Sequence, residues 1–370
     1  MKSIPLVDLK AQYHSIQEEI NQAIFNCIEE GRFIGGQPVK LFEEELARFC
    51  DVPFAAGCGN GTDALEISLK ILGIGPGDEV IIPAMTFMAT AEAVINSGAE
   101  VKLCDIKKGT YLINPDEIEK NISSNTKAII AVHLYGQMAE MDKISEIAQK
   151  HNLFLIEDSA QAIGASYKGF GPGHYGDIAT FSFFPGKNLG AYGDAGAMIT
   201  KNENYYFEFK KVANHGRLSK FGHEKIGRNS RLDTLHASIL SVKLKYLSEW
   251  TKLRQQHADY YNDCLKQTKN ITLPQVDSLA SHVYHLYVIK VKQEQRDELL
   301  AELKKNGIEA GVHYPQAIHE IQAFKYLGYG ETDFPEASDL SKSCISLPMY
   351  PELSKKEIDF ITGIIRNFIG

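Results

Sequence analysis

The strongest constraint on the fold is an alternation of short apolar runs with helical stretches between residues 54 and 200. Each apolar run has the length of a buried strand, and the stretches between the first five runs have the helical period. Strands that alternate with helices of this length predict a mostly parallel sheet covered on both faces. The predicted strands are Phe54–Cys58, Glu79–Pro83, Val101–Asp105, Ala128–His133, Phe154–Glu157, Ile178–Phe183 and Gly196–Thr200, and the predicted helices are Asp63–Leu72, Ala89–Ser97, Pro115–Asn121 and Met141–His151.

The pattern changes after Ser241, where the chain no longer alternates regularly between strands and helices. The later elements are a long charged helix from about 230 to 266, a strand at His285–Val291, a helix with Arg296–Asn306 at its centre, and a last helix at Ser354–Phe368. A chain of 370 residues is long enough for about two domains. We therefore predict an α/β protein with a large domain over 1–245 and a smaller α+β domain over 246–370, joined by the long helix.

Composition excludes several classes of protein. Lys and Arg number 39 against 47 Asp and Glu, so the net charge of −8 argues against nucleic-acid binding, although a local basic pocket could still hold an anionic substrate. The N-terminus has no apolar signal segment, and no apolar run approaches the roughly 20 residues of a membrane span. Six scattered cysteines without a CxxC pair predict reduced thiols, so we expect a cytoplasmic protein that does not contact a membrane.

A glycine-containing turn follows the first predicted strand. Its sequence, Cys58-Gly59-Asn60-Gly61-Thr62-Asp63, leads into a helix, so backbone N–H groups and the helix N-terminus can bind an anion there. Thr62 can cap the helix and donate its hydroxyl. An ordinary N-cap turn would have the same residues, and the Gly-Lys-Ser/Thr of a Walker loop is not present after the turn.

Two carboxylates end the fifth predicted strand, where ligands of open α/β sheets bind. Glu157 and Asp158 are adjacent, so their side chains point to opposite faces and do not form an acid–base dyad. A carboxylate that faces the ligand could pair with a cationic ring nitrogen. The alternative is a cap at the strand end.

A lysine follows the sixth predicted strand, in the run Phe181-Ser182-Phe183-Phe184-Pro185-Gly186-Lys187-Asn188. Desolvation beside aromatic residues lowers the pKa of an amine and suits Schiff-base chemistry, although a lone lysine is more often a solvated surface residue. An anion site, a carboxylate for a pyridine nitrogen and an amine for an aldehyde are together what pyridoxal phosphate requires. The three features therefore predict a pyridoxal phosphate site. None of the twelve histidines has the spacing of metal ligands, so no metal is expected.

These motifs resemble the sugar aminotransferases of the DegT/DnrJ/EryC1/StrS family over almost the whole chain. Residues 5–9 (Pro-Leu-Val-Asp-Leu) and 31–36 (Gly-Arg-Phe-Ile-Gly-Gly) resemble the N-terminal segment of that family. Residues 157–161 (Glu-Asp-Ser-Ala-Gln) and 182–187 (Ser-Phe-Phe-Pro-Gly-Lys) resemble its two most diagnostic stretches. The resemblance implies fold type I of the pyridoxal phosphate enzymes, with a mostly parallel seven-stranded sheet between helices in the large domain.

The resemblance also implies roles for individual residues. Lys187 holds pyridoxal phosphate covalently and then serves as the base that moves a proton, and Asp158 keeps the pyridine nitrogen protonated. The other implied cofactor contacts are Gln161 at the phenolic oxygen, Phe87 on the ring face, and Gly61, Thr62 and Ser182 at the phosphate.

The run from 227 to 233 (Gly-Arg-Asn-Ser-Arg-Leu-Asp) also resembles the family. Its Asn229 is implied to reach across a homodimer interface to the partner's cofactor phosphate, so that active sites are shared; a helix N-cap is the alternative. Arg231 is a candidate dimer or substrate contact. Arg228 departs from many relatives, which carry a small apolar or aromatic residue there, and it either contacts an acidic group of the substrate or lies on the surface.

A loop near the C-terminus completes the implied site. Residues 311–315 (Gly-Val-His-Tyr-Pro), together with His319, resemble the loop that approaches the sugar or the nucleotide in the family. His313 and Tyr314 are therefore candidate substrate contacts. The alternative for His313 is a packed histidine between the domains.

The implied reaction transfers an amino group from an amino acid, most often L-glutamate, to a keto sugar on UDP or dTDP. The sequence from Asn229 to Asp233 is more similar to family members that act on 3-keto sugars than to the Asn-Tyr-Arg-Met type of the 4-keto enzymes. We therefore predict a C3 acceptor and a role in bacterial surface glycans, with a 4-keto acceptor as the alternative. Lys225, Arg228 and Arg231 are candidates for a positive pocket, and Arg228 mildly favours a substrate carboxylate.

Three other functions compete with this prediction. A related sugar dehydratase would carry His in place of Lys187. A non-catalytic pyridoxal phosphate sensor would need a DNA-binding module, for which the sequence offers no spare segment or basic patch. A cofactor-free binding protein would make Thr62, Asp158, Ser182 and Lys187 coincidences.

Overall fold

The computed structural model describes residues 3–369. Its centre is a seven-stranded sheet with helices packed against it, and the C-terminal part carries a two-stranded sheet. In chain order the strands are β1 (Phe54–Cys58), β2 (Glu79–Pro83), β3 (Glu100–Cys104), β4 (Thr126–Val132), β5 (Phe154–Asp158), β6 (Ser166–Tyr167), β7 (Ile178–Ser182), β8 (Gly196–Thr200), β9 (Ala280–Ser281), β10 (Tyr287–Lys290) and β11 (Cys344–Leu347). The helices are α1 (Leu9–Ser15), α2 (Gln17–Glu30), α3 (Gln37–Phe49), α4 (Gly61–Ile71), α5 (Met88–Asn96), α6 (Pro115–Ile118), α7 (Met141–His151), α8 (Glu203–Ala213), α9 (Thr234–Leu244), α10 (Leu247–Leu265), α11 (Gln293–Lys305), α12 (Pro335–Ser343) and α13 (Lys355–Ile369).

The large sheet has the spatial order β1-β8-β7-β5-β4-β2-β3. Neighbours from β7 to β3 are parallel, whereas β8 runs antiparallel to both β1 and β7. The predicted mostly parallel seven-stranded sheet is confirmed, and each predicted strand is present with its ends within two residues of the expected positions. Strands β2 and β4 are buried along almost their whole length, because helices cover both faces of the sheet, and their central residues are accordingly apolar.

The predicted helices between the first five strands are present as α4 to α7. The single long helix expected from about 230 to 266 is wrong, because the chain forms two helices, α9 and α10, separated by Lys245 and Tyr246. Helix α9 packs on α2 and α3, whereas α10 packs on α13. The change of direction lets each helix bury its own apolar residues.

The C-terminal part has its own buried core. Strands β10 and β11 pair antiparallel, and α10, α11 and α13 pack in the same apolar cluster. The first described residues belong to this core: Ile4 pairs with Ile308, and the Met349 N–H donates to the Leu6 carbonyl (3.1 Å). The domain boundary at 245/246 stays a prediction. It falls between α9 and α10, while Met1, Lys2 and Gly370 lie outside the described residues.

The register of β8 brings two parts of the expected site together. Gly196 opens β8 and pairs with Cys58 at the end of β1 and with Ser182 at the end of β7. A Cβ atom on Gly196 would lie 2.4 Å from the carbonyl carbon of Asn60, so only glycine permits this approach. The turn after β1 therefore lies directly beside the end of β7.

All six cysteines carry free thiols, and five of them are buried. Between residues 3 and 369, no helix combines the length and the apolar character that crossing a bilayer requires. The same residues contain no group of three or more His, Cys, Asp or Glu side chains arranged to hold a metal ion.

Candidate active site

A cavity of about 720 Å³ opens at the carboxyl ends of the parallel strands. Turns after β1, β2, β4, β5 and β7 line one side, and segments of the C-terminal part line the other. Nine of the twelve predicted site residues line this cavity: Gly61, Thr62, Phe87, Asp158, Gln161, Ser182, Lys187, His313 and Tyr314. The remaining three, Arg228, Asn229 and Arg231, do not line it in the single chain.

The N-terminus of α4 forms one end of the cavity. Asn60 caps the helix, with its Oδ1 accepting from the Asp63 N–H at 2.8 Å. A Cβ atom on Gly61 would lie 2.8 Å from the Cβ of Ser182, so the helix start and the end of β7 meet closely because residue 61 has no side chain. Backbone N–H groups at a helix start, beside the hydroxyls of Thr62 and Ser182, are suited to a phosphate.

Asp158 ends β5 inside the cavity and is 6% exposed. Its Oδ2 accepts from the Thr90 hydroxyl at 2.8 Å, and that hydroxyl is bonded to Thr86 at 2.9 Å. Its Oδ1 accepts from the Ala160 N–H at 3.2 Å. Each carboxylate oxygen keeps a further lone pair for a donor in the cavity. The carboxylate is therefore held in position and remains able to accept a hydrogen bond from a ring N–H.

Glu157 points to the other face of the sheet, as predicted. Its Oε1 accepts from the N–H groups of Gly173 (3.0 Å) and Gly176 (2.8 Å), and its Oε2 lies 3.0 Å from His133 Nε2. It is fully buried and does not line the cavity. The expectation that Glu157 and Asp158 do not form a dyad is confirmed.

A hydrogen-bonded chain fixes the amide of Gln161. The Tyr135 N–H donates to Gln161 Oε1 at 2.6 Å, and Gln161 Nε2 donates to the Tyr314 hydroxyl at 3.0 Å. This pairing settles which end of the amide is the donor, and the second Nε2 hydrogen remains available to the cavity. The Tyr135 hydroxyl in turn donates to the His313 carbonyl. Tyr135 has φ +61°, a left-handed conformation that non-glycine residues rarely adopt and that is concentrated at functional sites.

Lys187 projects into the same cavity from the loop between β7 and β8. Burial lowers the pKa of Lys187 to about 8, while the Asp158 charge opposes this shift. About a tenth of the amine is then neutral at pH 7, far more than for an ordinary lysine. Burial and the nearby Lys187 also lower the pKa of His285 and of His313, so these rings add no positive charge at neutral pH.

Phe87 also lines the cavity, just before α5. Its side chain is 54% exposed although it faces the cavity, and its ring centroid is 5.5 Å from that of Tyr314. The open ring face is available for stacking on a planar group. Burial raises the pKa of Tyr314, so its hydroxyl stays protonated and can donate while it accepts from Gln161.

Arg228 and Lys225 are paired within the chain. Arg228 Nη1 donates to Asp63 Oδ1 at 2.7 Å and also pairs with Glu66, both on α4. Lys225 pairs with Glu208. Contact of Arg228 with a substrate carboxylate stays a prediction, and the two carboxylates of α4 already neutralise its charge.

Asn229 and Arg231 lie outside the main cavity. Asn229 is exposed and forms a backbone bridge with Asn214. Arg231 lines a second cavity of about 330 Å³ together with Lys210 and Arg217, and its Nη1 donates to Asn214 Oδ1 at 3.4 Å. Their roles in a shared site stay predictions, because each requires a second copy of the chain.

The sequence did not lead us to predict Thr86, Thr90 and Tyr135 as site residues. Their positions were the available signal, since Thr86 and Thr90 follow β2 one helical turn apart, and Tyr135 comes three residues after β4. All three therefore stand at the edge of the sheet where the predicted site residues converge.

Comparison with known proteins agrees with this geometry. The model of the DegT/DnrJ/EryC1/StrS aminotransferase family matches residues 14–366. The chain is 43% identical to a protein named "Pleiotropic regulatory protein" of Geobacillus stearothermophilus, covering 99% of this chain and 98% of the relative. It is 40% identical to the UDP-N-acetyl-3-dehydro-α-D-glucosamine 3-aminotransferase of Acidithiobacillus ferrooxidans, covering 99% of this chain and 98% of the relative.

A solved structure shares the fold. The structure of NtdA from Bacillus subtilis with bound cofactor PMP superposes with a TM-score of 0.90 at 32% identity, covering 100% of this chain and 86% of that protein. The predicted α/β architecture of fold type I is confirmed. The chain therefore belongs to the DegT/DnrJ/EryC1/StrS aminotransferase family.

Proposed function

We propose that this protein is a pyridoxal phosphate-dependent aminotransferase that transfers an amino group from an amino acid, L-glutamate first among them, to the C3 keto group of a hexose linked to UDP or dTDP. The observation that carries the proposal is the convergence of three groups in one cavity. These are the N-terminus of α4, the hydrogen-bonded carboxylate of Asp158 and the amine of Lys187. The relative from A. ferrooxidans, named as a 3-aminotransferase of a 3-dehydro sugar, supports the acceptor.

The residues present fit pyridoxal phosphate. Gly61, Thr62 and Ser182 would hold its phosphate, in a cradle that a Cβ atom on residue 61 would fill. Phe87 would stack on its ring. Asp158 would accept from its pyridine nitrogen, and Gln161 Nε2 would donate to its phenolic oxygen. When bound, the cofactor supplies an aldehyde for amines and a ring that withdraws electrons.

The chain's own residues bind and move protons around that group. Asp158 is held by Thr90 and Ala160, so its carboxylate keeps one orientation without further reorganisation. Burial brings the pKa of Lys187 to about 8, so its Nζ can accept and return a proton near neutral pH. Neutral His313 and protonated Tyr314 face the same space and can orient the hydroxyl groups of a sugar.

The charge of the cavity supports a homodimer with shared active sites. Apart from histidines, its charged lining consists of Asp63, Asp158, Asp194 and Lys187, so within residues 3–369 a diphosphate would meet one cation there. Asn229 and Arg231 of a second copy would supply the missing polar contacts.

The surface beside residues 227–233 carries exposed apolar side chains. Phe33 and Ile34 are each 50% exposed, and their backbone pairs with Asp233 and Thr234. An exposed apolar patch next to Asn229 and Arg231 is typical of a protein interface.

A cytoplasmic location and a role in bacterial surface glycans stay predictions, the first supported by the free thiols.

Two alternatives are distinguishable by experiment. One is a sensor that binds pyridoxal phosphate without turnover, for which the only support is that one relative is named as a regulatory protein. A dehydratase is disfavoured, because Lys187 occupies the position at which such an enzyme would have His.

The test is the visible absorption of purified wild-type and Lys187→Ala proteins after addition of pyridoxal phosphate, followed by L-glutamate. We expect a visible band in the wild type that is lost in the variant and is bleached by glutamate. 3-Keto and 4-keto nucleotide sugars are then compared as acceptors. A wild-type protein that acquires no band would contradict the proposal, and a coloured protein that responds to no amino acid would favour the sensor or the dehydratase.

A further inference from the structure

Lys243, near the end of α9, is a fully buried lysine outside the cavity. Its Nζ donates to the carbonyl oxygen of Gly190 at 2.7 Å and lies 4.2 Å from the ring centroid of Tyr192. None of the ion pairs within residues 3–369 includes it, since no carboxylate there lies within 4.0 Å of its nitrogen. A buried amine without an anionic partner is costly, and its two contacts both fall in the loop that carries Lys187.

Gly190 closes the turn on which Lys187 stands. The Lys187 N–H donates to the Phe184 carbonyl and the Ala191 N–H to the Phe183 carbonyl, each at 2.8 Å. A Cβ atom on Gly190 would lie 2.3 Å from the Pro185 carbonyl oxygen, so these two backbones touch. Gly190 is therefore packed directly against Pro185, two residues before Lys187, and a shift of either backbone disturbs this contact.

The turn is anchored on two sides. On one side Asn188 Nδ2 donates to the Val283 carbonyl at 3.0 Å, and on the other Lys243 donates to Gly190. The ring of Tyr192 beside the ammonium favours its positive charge. Burial lowers the pKa of Lys243 to about 8, with the Glu352 charge opposing the shift, but the amine has N–H donors in either protonation state.

We propose that Lys243 is a positioning residue that acts through the Gly190 carbonyl to hold the turn of Lys187 in the geometry that reaches the cofactor. The statement about the turn stands on the contacts alone, while its consequence for catalysis rests on the function proposed above. Lys243 supplies the hydrogen-bond donor that the buried Gly190 carbonyl receives from α9. Without that donor, the turn that carries Lys187 would shift.

The experiment compares Lys243→Met with Lys245→Met, the same substitution two residues later at an exposed lysine that pairs with Glu19. The first readout is backbone hydrogen exchange of the cofactor-free protein over residues 183–191. We expect exchange there to be about tenfold faster in Lys243→Met and unchanged in Lys245→Met, since one buried hydrogen bond is lost. The second readout is the apparent Kd for pyridoxal phosphate, which we expect to rise about tenfold in Lys243→Met alone.

Thermal unfolding separates positioning from a general structural role. Methionine removes a buried charge but leaves the Gly190 carbonyl without its donor, and these two effects oppose each other. We therefore expect the Tm of Lys243→Met to stay within a few degrees of the wild type. Faster exchange spread over the whole protein would overturn the proposal, and so would wild-type exchange of 183–191 together with a wild-type Kd.

A second variant covers the case in which Lys243→Met does not fold. Lys243→Gln keeps a shorter neutral donor, and we expect its exchange over 183–191 to lie between those of the wild type and of a donor-free turn. The glutamine amide lies nearer the backbone than the lysine amine and so holds the Gly190 carbonyl less well, and exchange no slower than in an unanchored turn or no faster than in Lys245→Met would overturn the proposal. Because hydrogen exchange is read without cofactor, a protein that never binds pyridoxal phosphate would defeat the proposed function and still leave this measurement decisive.

Discussion

The two sides of the cavity are built differently. On the sheet side, Asp158 and Ser182 are the last residues of parallel neighbours β5 and β7, so the register of the sheet sets their separation. On the loop side, His313 and Tyr314 belong to an irregular segment, and side-chain bonds hold them in place. The groups that would handle the cofactor therefore depend on the backbone, whereas those that would face the sugar depend on a few hydrogen bonds.

This difference indicates what substitutions on the sheet side and on the loop side of the cavity should each affect. A change on the loop side can alter a proposed substrate contact without moving the sheet, whereas a change at a strand end moves the groups proposed to carry the chemistry. Variants on the sheet side should lower kcat or weaken cofactor binding. Variants on the loop side should change KM for the acceptor.

The largest effect is expected for Asp158→Asn, which keeps the shape of the side chain and removes its charge. Loss of one preorganised electrostatic contact lowers kcat on the order of 10²- to 10³-fold. Steady-state transamination with glutamate measures the change, and Asp177→Asn provides a control at a carboxylate that binds the Leu155 N–H outside the cavity. An Asp158→Asn enzyme with normal kcat would remove the main distinction between the two sides.

The next effect is the pH dependence of the reaction of the cofactor-free protein with pyridoxal phosphate. The neutral amine is the nucleophile, and burial lowers the pKa of Lys187 to about 8. Its neutral fraction rises from about one hundredth at pH 6 to about one half at pH 8, so the rate of capture should rise about fiftyfold and then level off. Stopped-flow absorbance measures this profile. A rate that keeps climbing to pH 10 would indicate an ordinary lysine.

A smaller effect is expected for Thr90→Val, which removes the hydroxyl that donates to Asp158 Oδ2 and keeps the branched shape. A hydrogen bond to a charged group contributes about 1.5–3 kcal/mol, so kcat should fall about tenfold or more with little change in acceptor KM. Thr90→Ser restores a hydroxyl and should recover most of the rate. Equal losses in both variants would mean that packing around Thr90, rather than its bond to Asp158, is what matters.

The smallest effect is expected for Tyr135→Phe. The substitution removes the hydroxyl bond to the His313 carbonyl and keeps the backbone N–H that orients Gln161. One neutral hydrogen bond contributes about 1 kcal/mol, so acceptor KM should rise about fivefold while the apparent Kd for pyridoxal phosphate stays unchanged. Tyr167→Phe, which loses a bond to Asp142 instead, is the matched control. A loss of cofactor affinity in Tyr135→Phe would show that the two sides are not separable.

Much of the fold could be predicted because its signals are local. The period of the apolar residues identified all seven strands of the large sheet, and glycine, hydroxyl and lysine residues after those strands identified most of the cavity. Local patterning predicts where elements lie, but it does not predict how a helix follows its packing partners. The prediction of a single helix from about 230 to 266 is wrong for this reason, since α9 and α10 pack on different partners.

The sequence by itself determined the alternation of strands and helices, the residue types at the sheet edge and the family to which they belong. Only the tertiary structure decided which distant groups meet: Thr90 with Asp158, Gln161 with Tyr314, and Arg228 with the carboxylates of α4. It also decided that Lys243, within a charged stretch, is buried against Gly190. The physical reason is that period and composition are properties of neighbouring residues, whereas hydrogen bonds and burial depend on segments far apart in the chain.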